Sequence, residues 1–199
     1  QEKEFIFLSS GTWSLLGTEL NFPVLSEAAQ TLALSNEIGL EGKYAFLKNI
    51  NGLWLIQESR RQWIHEGTEY SFAELEQLAR QAEPFRSFID PDDHAFDQAG
   101  DLPNAVRDYC KRTDQPIPES VGEVTRCIYE SLALRYRNAV DEIERCTGNQ
   151  YHTIHIVGGG TKDQLLSAMT ASACKRKVVS GPVEATAIGN IAVQLIMLG

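Results

Sequence analysis

Apolar residues run along this chain in two rhythms, an alternation of two at either end and a helical spacing through the middle. Residues 4–18, Glu-Phe-Ile-Phe-Leu-Ser-Ser-Gly-Thr-Trp-Ser-Leu-Leu-Gly-Thr, are apolar and aromatic on both sides of a Ser-Ser-Gly break. That pattern predicts a β-hairpin with a polar turn, its first strand already formed over 5–8. From 31 to 47 short apolar pieces alternate with Asn36, Gly39 and Gly42, and a further strand is expected over 43–48. The period then changes. Ile50, Leu53, Trp54 and Gln57, followed by Arg60, Arg61 and Ile64, fall at helical spacing up to a stop at Gly67. Ser71-Phe-Ala-Glu74 and Ser120-Val-Gly-Glu123 are capping boxes, in which hydroxyl and carboxylate each satisfy a free backbone N–H at a helix start. They open helices over 72–83 and to about 145. The second carries Val124, Ile128, Leu132, Tyr136, Ala139, Val140 and Ile143 as one stripe, and Gly148 closes it. A shorter helix over 102–111 and an acidic, turn-rich loop at 90–96 lie between them. The last fifty residues read as strand 153–157, Gly158-Gly159-Gly160, helix 161–175, strand 177–180 and helix 184–198. Strand, helix, strand, helix implies parallel strands.

Composition narrows the class. With 43% apolar and 23% charged residues among 199, the chain has the balance of a folded globular protein, and no repeat or linker divides it. It reads as one domain over 1–199, excised from a longer polypeptide. A net charge of −9 opposes nucleic acid and anionic lipid, and the only basic run is Lys175-Arg-Lys177. The apolar run at 191–198 is interrupted by Gln194 and is far below the roughly 20 residues of a spanning helix. Four cysteines without a CxxC pair fit a reducing, cytoplasmic setting.

Two segments carry candidate chemistry. Gly158, Gly159 and Gly160 lie between a buried strand and a helix, where Thr161 with Gln164 completes a further capping box, so that a nucleotide can approach backbone at the positive end of a helix. A plain tight turn fits the triplet equally well. GxGxxG is not completed, because Asp163 stands at its last position, and GxxxxGK[ST] is absent. Ser9-Ser-Gly-Thr12, at the hairpin tip, offers hydroxyls and amides to phosphate oxygens, as ordinary turns also do. Asp90, Asp92 and Asp93 lack the spacing of a calcium loop, and turn chemistry accounts for them. His152 and His155 have odd parity on a strand and cannot share a metal. Trp13, Trp54 and Trp63 fit core or cleft wall. Cys110 and Cys127 flank the 115–120 loop in successive helices. Antiparallel packing of those helices would bring the sulfurs together and make a disulfide feasible, with the dithiol the default in a reducing compartment.

Ser9-Ser-Gly-Thr-Trp-Ser14, Leu47-Lys-Asn-Ile-Asn-Gly-Leu-Trp-Leu-Ile-Gln57, Gln115-Pro-Ile-Pro-Glu-Ser120, His155-Ile-Val-Gly-Gly-Gly160 and Gly181-Pro-Val-Glu-Ala-Thr186 with Gly189-Asn190 together resemble the rhamnulokinases among the FGGY carbohydrate kinases. The matches are ordered and cover almost the whole chain, as the C-terminal half of such a kinase. The resemblance implies an α/β fold, the ribonuclease-H-like lobe of an actin-like ATPase, with a mixed sheet flanked by helices. It implies ATP and Mg²⁺ as cofactors and transfer of phosphoryl to O1 of L-rhamnulose, with L-fuculose or xylulose as alternative sugars and a non-catalytic actin-like nucleotide-binding module as the alternative class. By the same resemblance Thr12 corresponds to a phosphate-loop threonine, Gln57 and Gly159 to nucleotide contacts with Gly158 and Gly160 beside them, and Asn49 to a residue facing the sugar. An adenine contact at Asp163 is not supported, since relatives place an Asn near it. The general-base Asp of the family is expected upstream of Gln1. The chain alone is therefore expected to be inactive, to bring Thr12 and Gly159 to one cleft, and to expose an apolar face through which it can self-associate.

Overall fold

A computed structural model describes residues 4–198. Six strands form one sheet in the order β3-β4-β2-β1-β5-β6. β1 (Ile6–Ser10) and β2 (Trp13–Leu20) are the expected hairpin, and β2 pairs antiparallel with β4 (Tyr44–Asn51). β3 (Leu34–Ile38) is an edge strand beside β4. β5 (Thr153–Val157) and β6 (Lys177–Ser180) extend the other side of β1 in parallel. The sheet is thus mixed, its antiparallel half contributed by the first third of the chain and its parallel half by the last.

Alternation decides which side chains are buried. Ile6, Leu8 and Ser10 share a face with Ser14, Leu16 and Thr18 on β2, Phe46 and Ile50 on β4, and Ile154 and Ile156 on β5, and all of them are buried. Against that face lies α5 (Val121–Thr147), the long helix, crossing β2 and β4. Its Ser120 and Glu123 form the predicted capping box, and Gly148 ends it with φ of 72°. Against α5 pack α3 (Phe72–Gln81), capped by Ser71 and Glu74, and α6 (Gln164–Cys174), which also touches β6. α2 (Trp54–His65) and α4 (Leu102–Arg112) close the same layer. The opposite face of the sheet is less covered: Leu47 and Thr153 are buried, Phe7, Leu15, His155 and Val157 are half-buried, and Trp13 and Asn49 are exposed. The last helix, α7 (Ala185–Leu198), has no charged residue and buries none of its side chains.

Several boundaries differ from the sequence reading. Ile50 belongs to β4 and not to a helix, because the helical spacing of 50–64 begins inside a strand and only Trp54 onward is helical. β3 falls in the stretch where Asn36, Gly39 and Gly42 mask any period, and the short helix α1 (Glu27–Thr31) precedes it. Thr161 does not cap α6. Residues Gly159–Lys162 form a 3₁₀ turn, and the helix starts at Gln164 with the Asp163 carboxylate accepting from Leu166 N at 2.8 Å.

Candidate functional site

The hairpin tip, the start of α2 and the turn after β5 meet at one end of the sheet. α2 has no side chain capping its N-terminus. Its first free amides are satisfied by the hairpin instead: Leu53 N donates to Gly11 O and Trp54 N to Thr12 O, both at 3.0 Å. Thr12 Oγ1 adds a bond to Gln57 Oε1 at 3.1 Å, one turn into the helix. The tip is therefore fixed to α2 by three bonds across more than forty residues of sequence.

The three glycines of the next turn serve three ends. Gly158 has φ of +89°, and a methyl group there would lie 2.8 Å from Ser10 O. A methyl group on buried Gly160 would lie 2.0 Å from Ser10 Oγ, a distance no packing tolerates. At Gly159 nothing stands within 4 Å, so the middle residue faces open space. That space is a cavity of about 450 Å³ lined by Gly11, Gln57, Gly159 and Gly160, with Leu53, Ile56 and Phe72 as apolar wall. Tyr129, Glu76 and Asp163 also reach it. Burial raises the Asp163 carboxyl above the ordinary range, opposed by the Leu166 amide and by the Tyr129 hydroxyl, which faces it. The positive end of α6 is thus met by the chain's own carboxylate. What the glycine turn offers a ligand is close approach to backbone and not an uncompensated helix terminus.

The residues singled out from sequence divide accordingly. Gln57, Gly159 and Gly160 line one cavity, Thr12 is hydrogen-bonded to Gln57 at its margin, and Gly158 shapes the turn behind it. Ser10 is unavailable to a phosphate because its hydroxyl is packed beneath Gly160. Asn49 lies outside the cavity, exposed on the open face of the sheet opposite Leu15. Cys110 and Cys127 do come together, on α4 and α5, as buried free thiols. The two thiols shift one another in opposite senses, Cys110 down through its contact with Cys127, and Cys127 up through the same contact together with burial. Asp90, Asp92 and Asp93 are all engaged. Asp92 accepts from Asn51 N and Arg135 Nε, Asp93 caps Ala95 and pairs with Arg112, and Asp90 holds the Asp92 amide. Trp63 is core, Trp54 donates to Phe96 O, and Trp13 is 56% exposed. Among the described residues no three His, Cys, Asp or Glu gather as metal ligands. The carboxylates at the cavity are turned to Leu166, Tyr129, Arg80 and Gln164, so they do not form a cage for Mg²⁺. Phe72, Glu76 and Tyr129 complete the cavity lining without a signal in the sequence, because each is accounted for there by its own helix.

Comparison with known proteins is consistent across sequence and fold. The model of the C-terminal domain of the FGGY family of carbohydrate kinases matches residues 6–198. A rhamnulokinase of Bacteroides thetaiotaomicron is 44% identical over 198 residues, covering 100% of this chain and 40% of the relative. One of Lactiplantibacillus plantarum is 47% identical over 190 residues, covering 96% and 38% respectively. The chain therefore spans about 40% of the length of the curated relatives it matches. In fold it is similar to a xylulose kinase of Rhodospirillum rubrum, with a TM-score of 0.64 at 15% identity over 92% of this chain and 36% of the other.

Proposed function

The chain belongs to the FGGY family of carbohydrate kinases as a C-terminal domain, and from that premise we propose that it holds ATP in a kinase that phosphorylates O1 of L-rhamnulose. The fold is the actin-like ATPase lobe of such kinases. The observation that supports the reading most is the cavity shared by Gly11, Gln57, Gly159 and Gly160, with open space above Gly159. A flat, largely apolar base fits against Leu53, Ile56 and Phe72, while the backbone at Gly159 allows the nucleoside to lie close. Thr12 stands at the hairpin tip, where its hydroxyl can turn from Gln57 toward a phosphate oxygen.

In this mechanism the lobe's work is positioning. Residues 11–12 and 57 orient the triphosphate, and the 158–160 turn fixes the nucleoside, so that the terminal phosphoryl points at the sugar hydroxyl. Mg²⁺ would accompany the phosphates, and the described residues offer it no cage of their own. The general base is an Asp expected upstream of Gln1, and the sugar contact assigned to Asn49 faces the open side of the sheet. L-rhamnulose is preferred to L-fuculose or xylulose because the relatives matched over the whole chain are named rhamnulokinases, whereas the xylulose kinase likeness, at 15% identity, is one of fold. The test is a coupled assay of the intact kinase with ATP and each ketose in turn. L-rhamnulose should give the highest kcat/KM by at least about tenfold, a difference of about 1.4 kcal/mol in transition-state binding. A higher value with xylulose or L-fuculose would overturn the sugar assignment, and no turnover with any ketose would overturn the kinase reading.

A further inference from the structure

We propose that Tyr136 is a positioning residue of the nucleotide site, holding the hairpin tip and the glycine turn in register through the hydroxyls of Ser14 and Ser10. The inference rests on the ATP-site reading above. The stripe of α5 asks only for a large apolar side chain at position 136, yet the residue carries a hydroxyl into a site with no exposure at all. Tyr136 Oη lies 2.7 Å from Ser14 Oγ, and Ser14 is equally buried. Ser10, 2% exposed, is paired with Ser14 across the hairpin and adds to the polar surroundings that oppose the effect of burial on the same phenol.

These three hydroxyls touch every loop that forms the cavity. Ser10 Oγ lies directly beneath the Gly turn, where it would be 2.0 Å from a methyl group on Gly160. Ser14 Oγ lies beneath the β4–α2 turn, 2.5 Å from where a methyl group on Gly52 would sit. Ser10 and Ser14 are themselves the paired residues flanking the hairpin tip, facing one another across β1 and β2. A hydroxyl group in a dry interior has no water to replace a lost partner, so the cluster holds one arrangement. Its geometry is transmitted to Gly11, Gly160 and Leu53, all of which line the cavity.

The experiment compares Tyr136→Phe with Tyr151→Phe in the intact kinase. Tyr151 is a matched control: it is also buried, on the chain leaving α5 toward β5, and its hydroxyl makes only 3.4 Å contacts to Thr147 and Asn149. Tyr136→Phe should raise the KM for ATP about threefold to tenfold, as loss of one buried hydrogen bond at the site implies, with the KM for sugar within about twofold. Tyr151→Phe should leave both constants within about twofold. An unchanged KM for ATP, a parallel rise in both constants, or the same effect from Tyr151→Phe would overturn the proposal. If Tyr136→Phe does not fold, Ser14→Ala carries the comparison with the same criteria. A wild-type kinase that does not use ATP would instead overturn the site reading itself.

Discussion

Gly159 and Gly160 are adjacent and chemically identical, yet a methyl group would meet open space at one and Ser10 Oγ at the other. Gly160→Ala should therefore destabilise the fold by about 1–3 kcal/mol, the usual cost of forcing an extra carbon into a packed site, lowering the melting temperature by several degrees, while Gly159→Ala should melt within a degree or two of wild type. Equal melting temperatures for the two variants would contradict the packing described here. The glycine triplet was legible in the sequence as a turn, but the separate tasks of its members were not, because they depend on Ser10, nearly 150 residues earlier. The same holds for Asp163, which caps α6 where the sequence points to Thr161: both can cap, and only the 3₁₀ turn between them decides. The Thr12–Gln57 bond joins two residues that the sequence singles out, but their union depends on the uncapped start of α2.

At the scale of elements, the capped helices were the most legible part of the chain. Ser71 with Glu74 and Ser120 with Glu123 are local signals, complete within four residues, and both occur as expected. Glu123 accepts the amides of Ser120 and Glu119 and pairs with Arg86, and the Ser120 amide is the largest cause holding its carboxyl below the ordinary range. A carboxyl with a lowered folded pKa stabilises above its unfolded pKa, and that stability is lost as pH falls through the folded value. Glu123→Gln should then cost about 1 kcal/mol or less at pH 7, a shift of about 2–4 °C, and the penalty should shrink as pH drops below about 4. A penalty constant with pH would contradict a charge-based cap. The edge strand β3 shows the opposite case. Its five residues, Leu-Ser-Asn-Glu-Ile, bury only Leu34, so the sequence carries almost no alternation. β3 exists because β4 offers it a full ladder of partners.

For the whole molecule, the parallel half of the sheet follows from the strand-helix-strand-helix ending and the actin-like lobe from the family resemblance, whereas the exposed apolar surface follows from what the lobe leaves uncovered. α7 exposes Ile188, Ile191, Leu195, Ile196 and Met197, and Trp13 is exposed on the open face of the sheet. Such surface is costly for a free monomer, and the 199-residue chain should show concentration-dependent self-association by analytical ultracentrifugation, diminished by Ile191→Lys with Leu195→Lys. A strictly monomeric chain at high micromolar concentration would contradict this expectation. The same 199-residue chain, which spans about 40% of the length of the rhamnulokinases it matches, should by itself give no turnover with ATP and L-rhamnulose beside an active intact kinase. The central claim is that the space above Gly159 holds the nucleotide, and its most direct test is Gly159→Leu in the intact kinase, with apparent KM measured separately for ATP and for sugar. The account predicts that KM for ATP rises by about tenfold or more while KM for sugar and the melting temperature stay near wild type; an unchanged KM for ATP in the folded variant would contradict it.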